Sequence, residues 1–307
     1  MSTESWMDGV LREWEEKQQM RQLRVYPQAG GKYVEAGRTI LNFSSNDYLG
    51  LSHHPAVLEA SRRALESFGS GSAASRLVTG TLPLHEELES RLARFKGYSQ
   101  ALLFGSGYLA NTGIVPAVVS KDDHVFADKL VHASLIDAVV LSRATLHRFQ
   151  HNRPEHLTEL LKKTTGATRR LVVTESVFSM DGDLAPLREI TCAATDHGAM
   201  LLIDEAHATG VFGPGGSGLV KGLGLESTVN LSMATLSKAM GGYGGFVACS
   251  EKMKTLLVNR ARSFIFSTAL PPAVLGAALG ALDVLEEWPD LGAQLLKRSS
   301  DFRHRLH

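Results

Sequence analysis

The stretch Leu201-Leu202-Ile203-Asp204-Glu205-Ala206-His207 decides the fold. A short apolar run ends on a carboxylate, with a histidine three residues further on. A run of this length reads as a strand buried on both faces, which is the pattern of a parallel sheet rather than of a half-solvated antiparallel one. Asp204 then falls at the carboxyl edge of the strand, where a carboxylate needs a charged or hydrogen-bonding partner. Taken alone, an Asp after a strand is more often a helix N-cap, and a lone histidine such as His207 is more often a satisfied, partly buried side chain.

Outward from this stretch, similar runs recur at Ala101–Phe104, His124–Ala127, Leu171–Thr174, Met200–Ile203, Val229–Met233 and Gly245–Cys249. Helical periods lie between several of them, as in Leu187–His197 after Pro186. This alternation predicts an α/β fold with a mostly parallel sheet and helices on both faces. Ligands of such sheets lie off the carboxyl ends of the strands. Upstream, Met1 to Arg24 reads as an amphipathic helix with Trp6, Val10, Leu11 and Trp14 on one side. Gly30, Gly31 and Gly37 around Lys32-Tyr33-Val34 predict a small hairpin. Downstream, Pro271 and Pro272 open an Ala/Leu-rich helix to about Glu287, and Pro289 starts a helical pattern that runs to His307. The expected division is an N-terminal segment over 1–45, a large domain over 46–270, and over 271–307 the start of a smaller domain that reads as incomplete.

The 307 residues are 44% apolar and 21% charged with zero net charge, the balance of a globular protein. The absence of a basic or acidic excess argues against nucleic acid or a charged membrane surface as partner. No run is long and apolar enough to predict a membrane span, and the N-terminus lacks the apolar core of a signal peptide. Cys192 and Cys249 have no paired or metal-ligand spacing, so both are expected to be packing residues in a reduced, cytoplasmic setting, with no metal site.

Four further segments follow predicted strands. In Ala234-Thr-Leu-Ser-Lys-Ala-Met-Gly-Gly242, Lys238 lies among small residues and glycines that let a ligand come close, with hydroxyls at Thr235 and Ser237 suited to a phosphate. An amine desolvated there would be available as a nucleophile at neutral pH. In Phe104-Gly-Ser-Gly-Tyr-Leu-Ala-Asn111, a Gly-rich turn opens a helix and would cradle a phosphate. The same segment matches G-x-G-x-x-A, with Asp128 spaced for a ribose contact, and by itself does not separate a dinucleotide from a phosphorylated vitamin. In Leu130-Val-His-Ala-Ser134, His132 could stack on a flat heteroaromatic ring or simply cap a helix. In Glu175-Ser-Val-Phe-Ser-Met-Asp-Gly-Asp183, Ser179 could donate to a cofactor, while Asp181-Gly182 reads as a turn. Asp204 facing a protonated pyridine nitrogen, with His207 on the ring's phenolic oxygen, would unite these segments around one ring.

The combination resembles the α-oxoamine synthases, pyridoxal-phosphate (PLP) enzymes of the aspartate aminotransferase fold (fold type I). The resemblance is carried by Asn42-Phe-Ser-Ser-Asn-Asp-Tyr-Leu-Gly-Leu51, Ser75-Arg-Leu-Val-Thr-Gly80, Leu84-His-Glu-Glu-Leu-Glu89, Thr174-Glu-Ser-Val-Phe-Ser-Met-Asp-Gly-Asp183, Asp204-Glu-Ala-His207, Thr235-Leu-Ser-Lys238 and Phe266-Ser-Thr-Ala-Leu-Pro-Pro272. It implies Lys238 as the Schiff-base lysine, Asp204 as partner of the pyridine nitrogen, His207 on the phenolic oxygen and His132 stacked on the ring. Gly107, Tyr108, Ser179 and Thr235 would complete the cofactor shell. Ser267 and Thr268 would reach the phosphate of a neighbouring subunit, which implies a homodimer with shared sites. Arg24, in Leu23-Arg-Val-Tyr-Pro27, would contact the acyl substrate, and Asn46 the amino acid. The implied reaction is a decarboxylative condensation of L-alanine with pimeloyl-CoA or its carrier-protein thioester. Siblings using glycine or serine remain alternatives, and a nucleotide-binding oxidoreductase or an inactive binding homologue are readings from other classes. One departure stands out: Ala73-Ala74 replaces the Gly pair usual before Ser75-Arg76, which predicts an altered backbone there.

Overall fold

The computed structural model describes residues 3–26, 31–164, 166 and 168–306; Met1, Pro27, Gly30 and His307, named above, lie outside them. Residues 1–44 and 45–307 form two separate units. The first contains a helix, Ser5–Glu16, and an antiparallel hairpin of β1 (Lys32–Glu35) and β2 (Arg38–Leu41), turned at Ala36-Gly37 with Lys32 opposite Leu41. The helix is shorter than its periodicity suggested, and Trp6, Val10, Leu11 and Trp14 are exposed.

The second unit is built on a seven-stranded sheet. Its strands are β3 (Gln100–Phe104), β4 (His124–Asp128), β5 (Thr145–Phe149), β6 (Arg170–Glu175), β7 (Met200–Asp204), β8 (Leu231–Thr235) and β9 (Gly245–Cys249). They lie in the order β3-β9-β8-β7-β6-β4-β5. Strands β5, β4, β6, β7 and β8 run parallel, and β9 alone is antiparallel to both neighbours. The sheet is therefore mostly parallel and two-faced, as the apolar runs predicted. Successive side chains alternate between the faces. Leu171 and Val173 pack with Ile114 and Leu135 of the helices Gly107–Val118 and Ala133–Ser142. Val172 packs on the other face with Leu157 and Ile190 of the helices Pro154–Lys163 and Leu187–Asp196.

The chain departs from the sequence reading at two strands and at one cysteine. Strand β5 was not anticipated, because Thr145-Leu-His-Arg-Phe149 sits at the sheet edge, pairs only with β4 and carries no apolar run. Strand β8 starts two residues later than expected. Val229 instead takes the Tyr98 hydroxyl on its carbonyl (3.0 Å), and Asn230 accepts from Leu201 N (2.8 Å). Cys192 is exposed on the outward side of its helix, not a packing residue. Cys249 is buried in β9, where burial pushes its thiol up to about 12.

The order of strands reverses between β4 and β6. From β4 the chain steps outward to β5, then returns to the other side of β4 and proceeds through β6, β7 and β8. Such a switch point leaves a crevice at the carboxyl ends. The helix Pro272–Glu287 packs along Pro55–Phe68, with Gly276 and Gly280 against Ala60 and Val57, and residues 271–307 do not separate from 45–270 as a unit of their own. Among the described residues no helix is long and apolar enough to cross a membrane.

The Ala73-Ala74 departure has a structural expression. Ala73 holds φ +55°, left-handed backbone that a β-carbon disfavours. Its neighbour Ala74 accepts from Ala269 N (3.0 Å), and a β-carbon on Gly80 would stand 2.1 Å from the same Ala74 carbonyl oxygen. Urea denaturation is therefore expected to show Ala73→Gly more stable by about 0.5–1 kcal/mol, and Gly80→Ala less stable by more than about 2 kcal/mol. A destabilising Ala73→Gly would contradict the strain.

Candidate active site

At the carboxyl ends of the strands lies a cavity of about 230 Å³. Each wall comes from a different strand end: Ser106 and Gly107 after β3, His132 after β4, Glu175 closing β6, Asp204 closing β7, and Thr235 and Lys238 after β8. The Ser106–Gly107 turn can sit against β9 because position 245 is glycine; a β-carbon there would come within 2.5 Å of Ser106 O. Ser106 caps the helix Gly107–Val118 by accepting from Leu109 N (3.1 Å), so the first amides of that helix face the cavity region with the positive end of its dipole. A larger surface groove of about 560 Å³ lies by Tyr98 and Cys249, but among the described residues its lining offers one carboxylate, Glu226, and no basic group.

The loop after β8 is closed by Thr235, whose hydroxyl donates to Gly244 O (2.8 Å) and lies 2.8 Å from Ser237 Oγ. This brings Lys238 Nζ to 2.6 Å from His207 Nε2. His207 Nδ1 is 2.7 Å from the Tyr48 hydroxyl, which donates to Asn46 Oδ1 (3.2 Å). With its single proton committed to Asn46, Tyr48 must accept from His207 Nδ1–H, which leaves Nε2 as acceptor for the lysine. Burial, with the Lys238 and His132 charges, pushes His207 down to about 4. Burial also lowers Lys238 below its usual 10.5, against the pull of Asp204 and Glu175. The result is a neutral imidazole bonded to an amine that is more available than an exposed lysine.

The floor carries two carboxyl groups. Asp204, 5% exposed, accepts from Asn111 Nδ2 on one oxygen (3.0 Å) and from Ala206 N on the other (2.9 Å). It caps a turn, not a helix. Glu175 stands in register beside it on β6 and accepts from His132 N (2.6 Å). Burial raises both carboxyls, Glu175 to about 8 with the neighbouring Asp204 adding to the effect. His132 caps the helix Ala133–Ser142 by accepting from Ser134 N (3.2 Å), and its Nδ1 lies 2.8 Å from Ser134 Oγ, which itself accepts from Asn111 Nδ2 (2.9 Å). His132 thus caps the helix and also lines the cavity wall.

Of the residues expected to form the site, Lys238, His207, Asp204, His132, Thr235, Gly107 and Tyr108 line this one cavity. Tyr108 ties its hydroxyl to Asp137 (2.5 Å). Asn46 reaches it only through Tyr48. Ser179 is exposed and outside the lining. Ser267 and Thr268 border a separate crevice of about 20 Å³ with Arg76 and His85. Arg24 is exposed and belongs to the first unit. Asp128 offers nothing to a ribose: its carboxylate accepts from Leu130 N (2.8 Å) and Asn152 N (2.9 Å) and pairs with His151 (2.9 Å). Glu175, Asn111, Ser134 and Tyr48 were not foreseen as site residues, although each adjoins or lies within a quoted motif. Strand-end position was the signal for Glu175, and position 111, one helical turn beyond Gly107, the signal for Asn111.

A carboxyl raised from its usual 4.5 to about 8 keeps, when folded, a proton that the unfolded chain has released. Its stabilising share is fully present below about pH 4.5 and is lost as pH rises through about 8. Thermal melts of the cofactor-free protein should therefore show Glu175→Gln gaining on the parent as pH rises from about 5 to 8, by on the order of 1–3 kcal/mol. A pH-independent difference would contradict a buried, protonated Glu175.

Comparison with known proteins gives this geometry a family. The aminotransferase class I and II profile matches residues 38–307. The chain is 48% identical over 301 residues to the 8-amino-7-oxononanoate synthase of Geobacter sulfurreducens, covering 97% of this chain and 77% of that one. It is 50% identical over 289 residues to the 8-amino-7-oxononanoate synthase of Geobacter metallireducens, covering 93% and 74%. A solved serine palmitoyltransferase from S. paucimobilis with PLP and myriocin bound is 35% identical, with a TM-score of 0.86 over 93% of this chain and 75% of that one. The chain belongs to the aminotransferase class I and II family, within its α-oxoamine synthase group.

Proposed function

We propose that this chain is a PLP-dependent acyltransferase that condenses L-alanine with pimeloyl-CoA, or the pimeloyl carrier-protein thioester, to give 8-amino-7-oxononanoate, CoA and carbon dioxide in biotin biosynthesis. The observation that carries the reading is the meeting of Lys238, His207, Asp204 and His132 in one cavity, in a chain about half identical to 8-amino-7-oxononanoate synthases. The cavity fits PLP in its chemistry. A buried carboxyl on the floor, Asp204, suits a pyridine nitrogen, and helix-end amides at Gly107 suit a phosphate. Asn111 Oδ1, buried without a hydrogen-bond partner, marks a wall that has polar capacity to spare.

PLP bound here supplies an electron sink for the α-carbon of the amino acid. The chain's residues do the rest. Lys238 would hold the cofactor and would serve as the base for the α-proton of the amino acid; its lowered pKa suits both roles. His207 positions the lysine and would bind the ring's phenolic oxygen, while Asn46, through Tyr48, would meet the amino acid. Asp204 would stabilise positive charge on the ring nitrogen, and His132 would cover the ring face. Gly107, Tyr108 and Thr235 would complete the cofactor shell, with Ser179 outside the cavity lining, and Arg24 would contact the acyl chain. The working form is a homodimer. Ser267 and Thr268, lying away from their own Lys238 cavity, are suited to serve a neighbouring subunit's phosphate. The substrates are small molecules and the setting is cytoplasmic.

Two measurements test this. Borohydride reduction of the PLP-loaded protein followed by peptide mass spectrometry should place the cofactor mass on Lys238, and Lys238→Ala should lose both that adduct and at least about 10³-fold of turnover. CoA release from pimeloyl-CoA should be fastest with alanine; release only with glycine or serine would instead support a sibling synthase.

A further inference from the structure

His151 lies outside the cavity lining, in the turn between β5 and the helix Pro154–Lys163. Its Nδ1 lies 2.9 Å from Asp128 Oδ1 and its Nε2 lies 2.8 Å from Asp183 Oδ2. Ionised carboxylates only accept, so a ring bonded to one on each nitrogen must donate from both and carry a positive charge. The ring also stands edge-on to Phe178, with centroids 4.4 Å apart at 87°. Asn152, the next residue, holds left-handed backbone at φ +53° and doubles the grip: its amide N donates to Asp128 Oδ2 (2.9 Å), and its Nδ2 donates to Asp183 Oδ2 (2.6 Å).

The two carboxylates belong to the two loops that approach the cofactor region. Asp128 ends β4, and its Oδ1 also accepts from Leu130 N (2.8 Å), shaping the turn that delivers His132. Asp183 closes the loop after β6, where Phe178 N donates to Asp183 O (3.0 Å) and Gly182 N to Phe178 O (2.9 Å), with Ser179 at the tip. Between these loops His132 N donates to Glu175 (2.6 Å).

We propose that His151, as an imidazolium bridging Asp128 and Asp183, is a positioning residue that sets the His132 turn and the Ser179 loop relative to each other at the cavity mouth. The groups facing the ring are Asp128 from the end of β4 and Asp183 and Phe178 from the loop after β6. Burial alone would depress His151, but the two carboxylates raise it above its usual 6.5. A base with a raised pKa holds its partners below that value and releases them as pH rises through it. The bridge is therefore closed below that raised value and opens as pH rises through it.

The test has two arms. In the first, the cofactor-free protein carrying labelled histidine is titrated by NMR from about pH 6 to 9. The His151 ring should titrate above 6.5, and the His132 ring resonances should shift with the same midpoint. Asp183→Asn, which removes one carboxylate at a half-exposed position, should move both midpoints to lower pH. A His132 signal that ignores the His151 midpoint, or midpoints unmoved by Asp183→Asn, overturns the proposal.

The second arm rests on reading the cavity as a PLP site and measures PLP affinity by titration of cofactor-stripped protein. His151→Gln, which is uncharged and has one amide nitrogen where the ring has two on opposite edges, should bind PLP about tenfold more weakly at neutral pH. The parent should weaken toward the variant as pH rises through the His151 midpoint. Equal affinities at neutral pH, with only the melting temperature lowered, would make His151 merely structural. If the parent binds no PLP at all, the cofactor reading fails and the NMR arm still decides the bridge.

Discussion

Lys96 and Glu205 meet at 2.5 Å with both side chains wholly excluded from solvent. Two charges buried together cost desolvation energy that only complete hydrogen bonding offsets. Here that bonding is supplied by several elements at once. Glu205 also accepts from Ser232 Oγ (2.9 Å) on β8 and from Val220 N (2.9 Å), while Lys96 donates to Thr209 (3.1 Å). Removing either partner would leave an uncompensated buried charge, at a cost on the order of 3–5 kcal/mol. The pair therefore pins the residue after β7 to the helix Pro83–Lys96 and to β8. Because Glu205 is held on that side, Asp204, the residue before it, is held toward the cavity.

The same strand-end constraint places Glu175 beside Asp204. Parallel pairing puts them in register, so two carboxyl groups share one poorly solvated floor. Neighbouring carboxyls in such a place cannot both ionise cheaply. Burial raises both, the neighbouring Asp204 adds to the rise of Glu175, and the Lys238 charge opposes the rise at each. The amide network through Asn111 and Ser134 spaces the floor from His132. The cavity is thus a balance of buried charge held by main-chain register, not by flexible surface groups.

Much of this was legible in the sequence, for a physical reason. Strands buried on both faces must be apolar runs, so β3, β4, β6, β7, β8 and β9 declared themselves, β8 two residues early, and the carboxyl ends of β4, β7 and β8 marked His132, Asp204, His207 and Lys238. The edge strand β5 escaped because its outer side answers to solvent and not to packing. The motif residues Arg76 and Glu89 were legible only as a resemblance. In the fold they form a buried ion pair (2.8 Å) in which Glu89 also accepts from Leu103 N (3.0 Å), a role set by tertiary contacts between distant segments. Tyr48 was hidden in the same way, since its partner His207 is 159 residues away.

That long-range contact also fixes a direction. The chain from Lys238 through His207 and Tyr48 to Asn46 has one arrangement of protons that satisfies every donor, in which the lysine donates and the histidine is neutral. Protonating His207 would place two donors nose to nose at 2.6 Å and strand a charge in a site that holds this imidazole down to about 4. The network therefore keeps Lys238 bonded to an acceptor throughout the neutral range. A lysine so held is oriented without being neutralised by an ion pair, and its amine stays free to leave for a better partner.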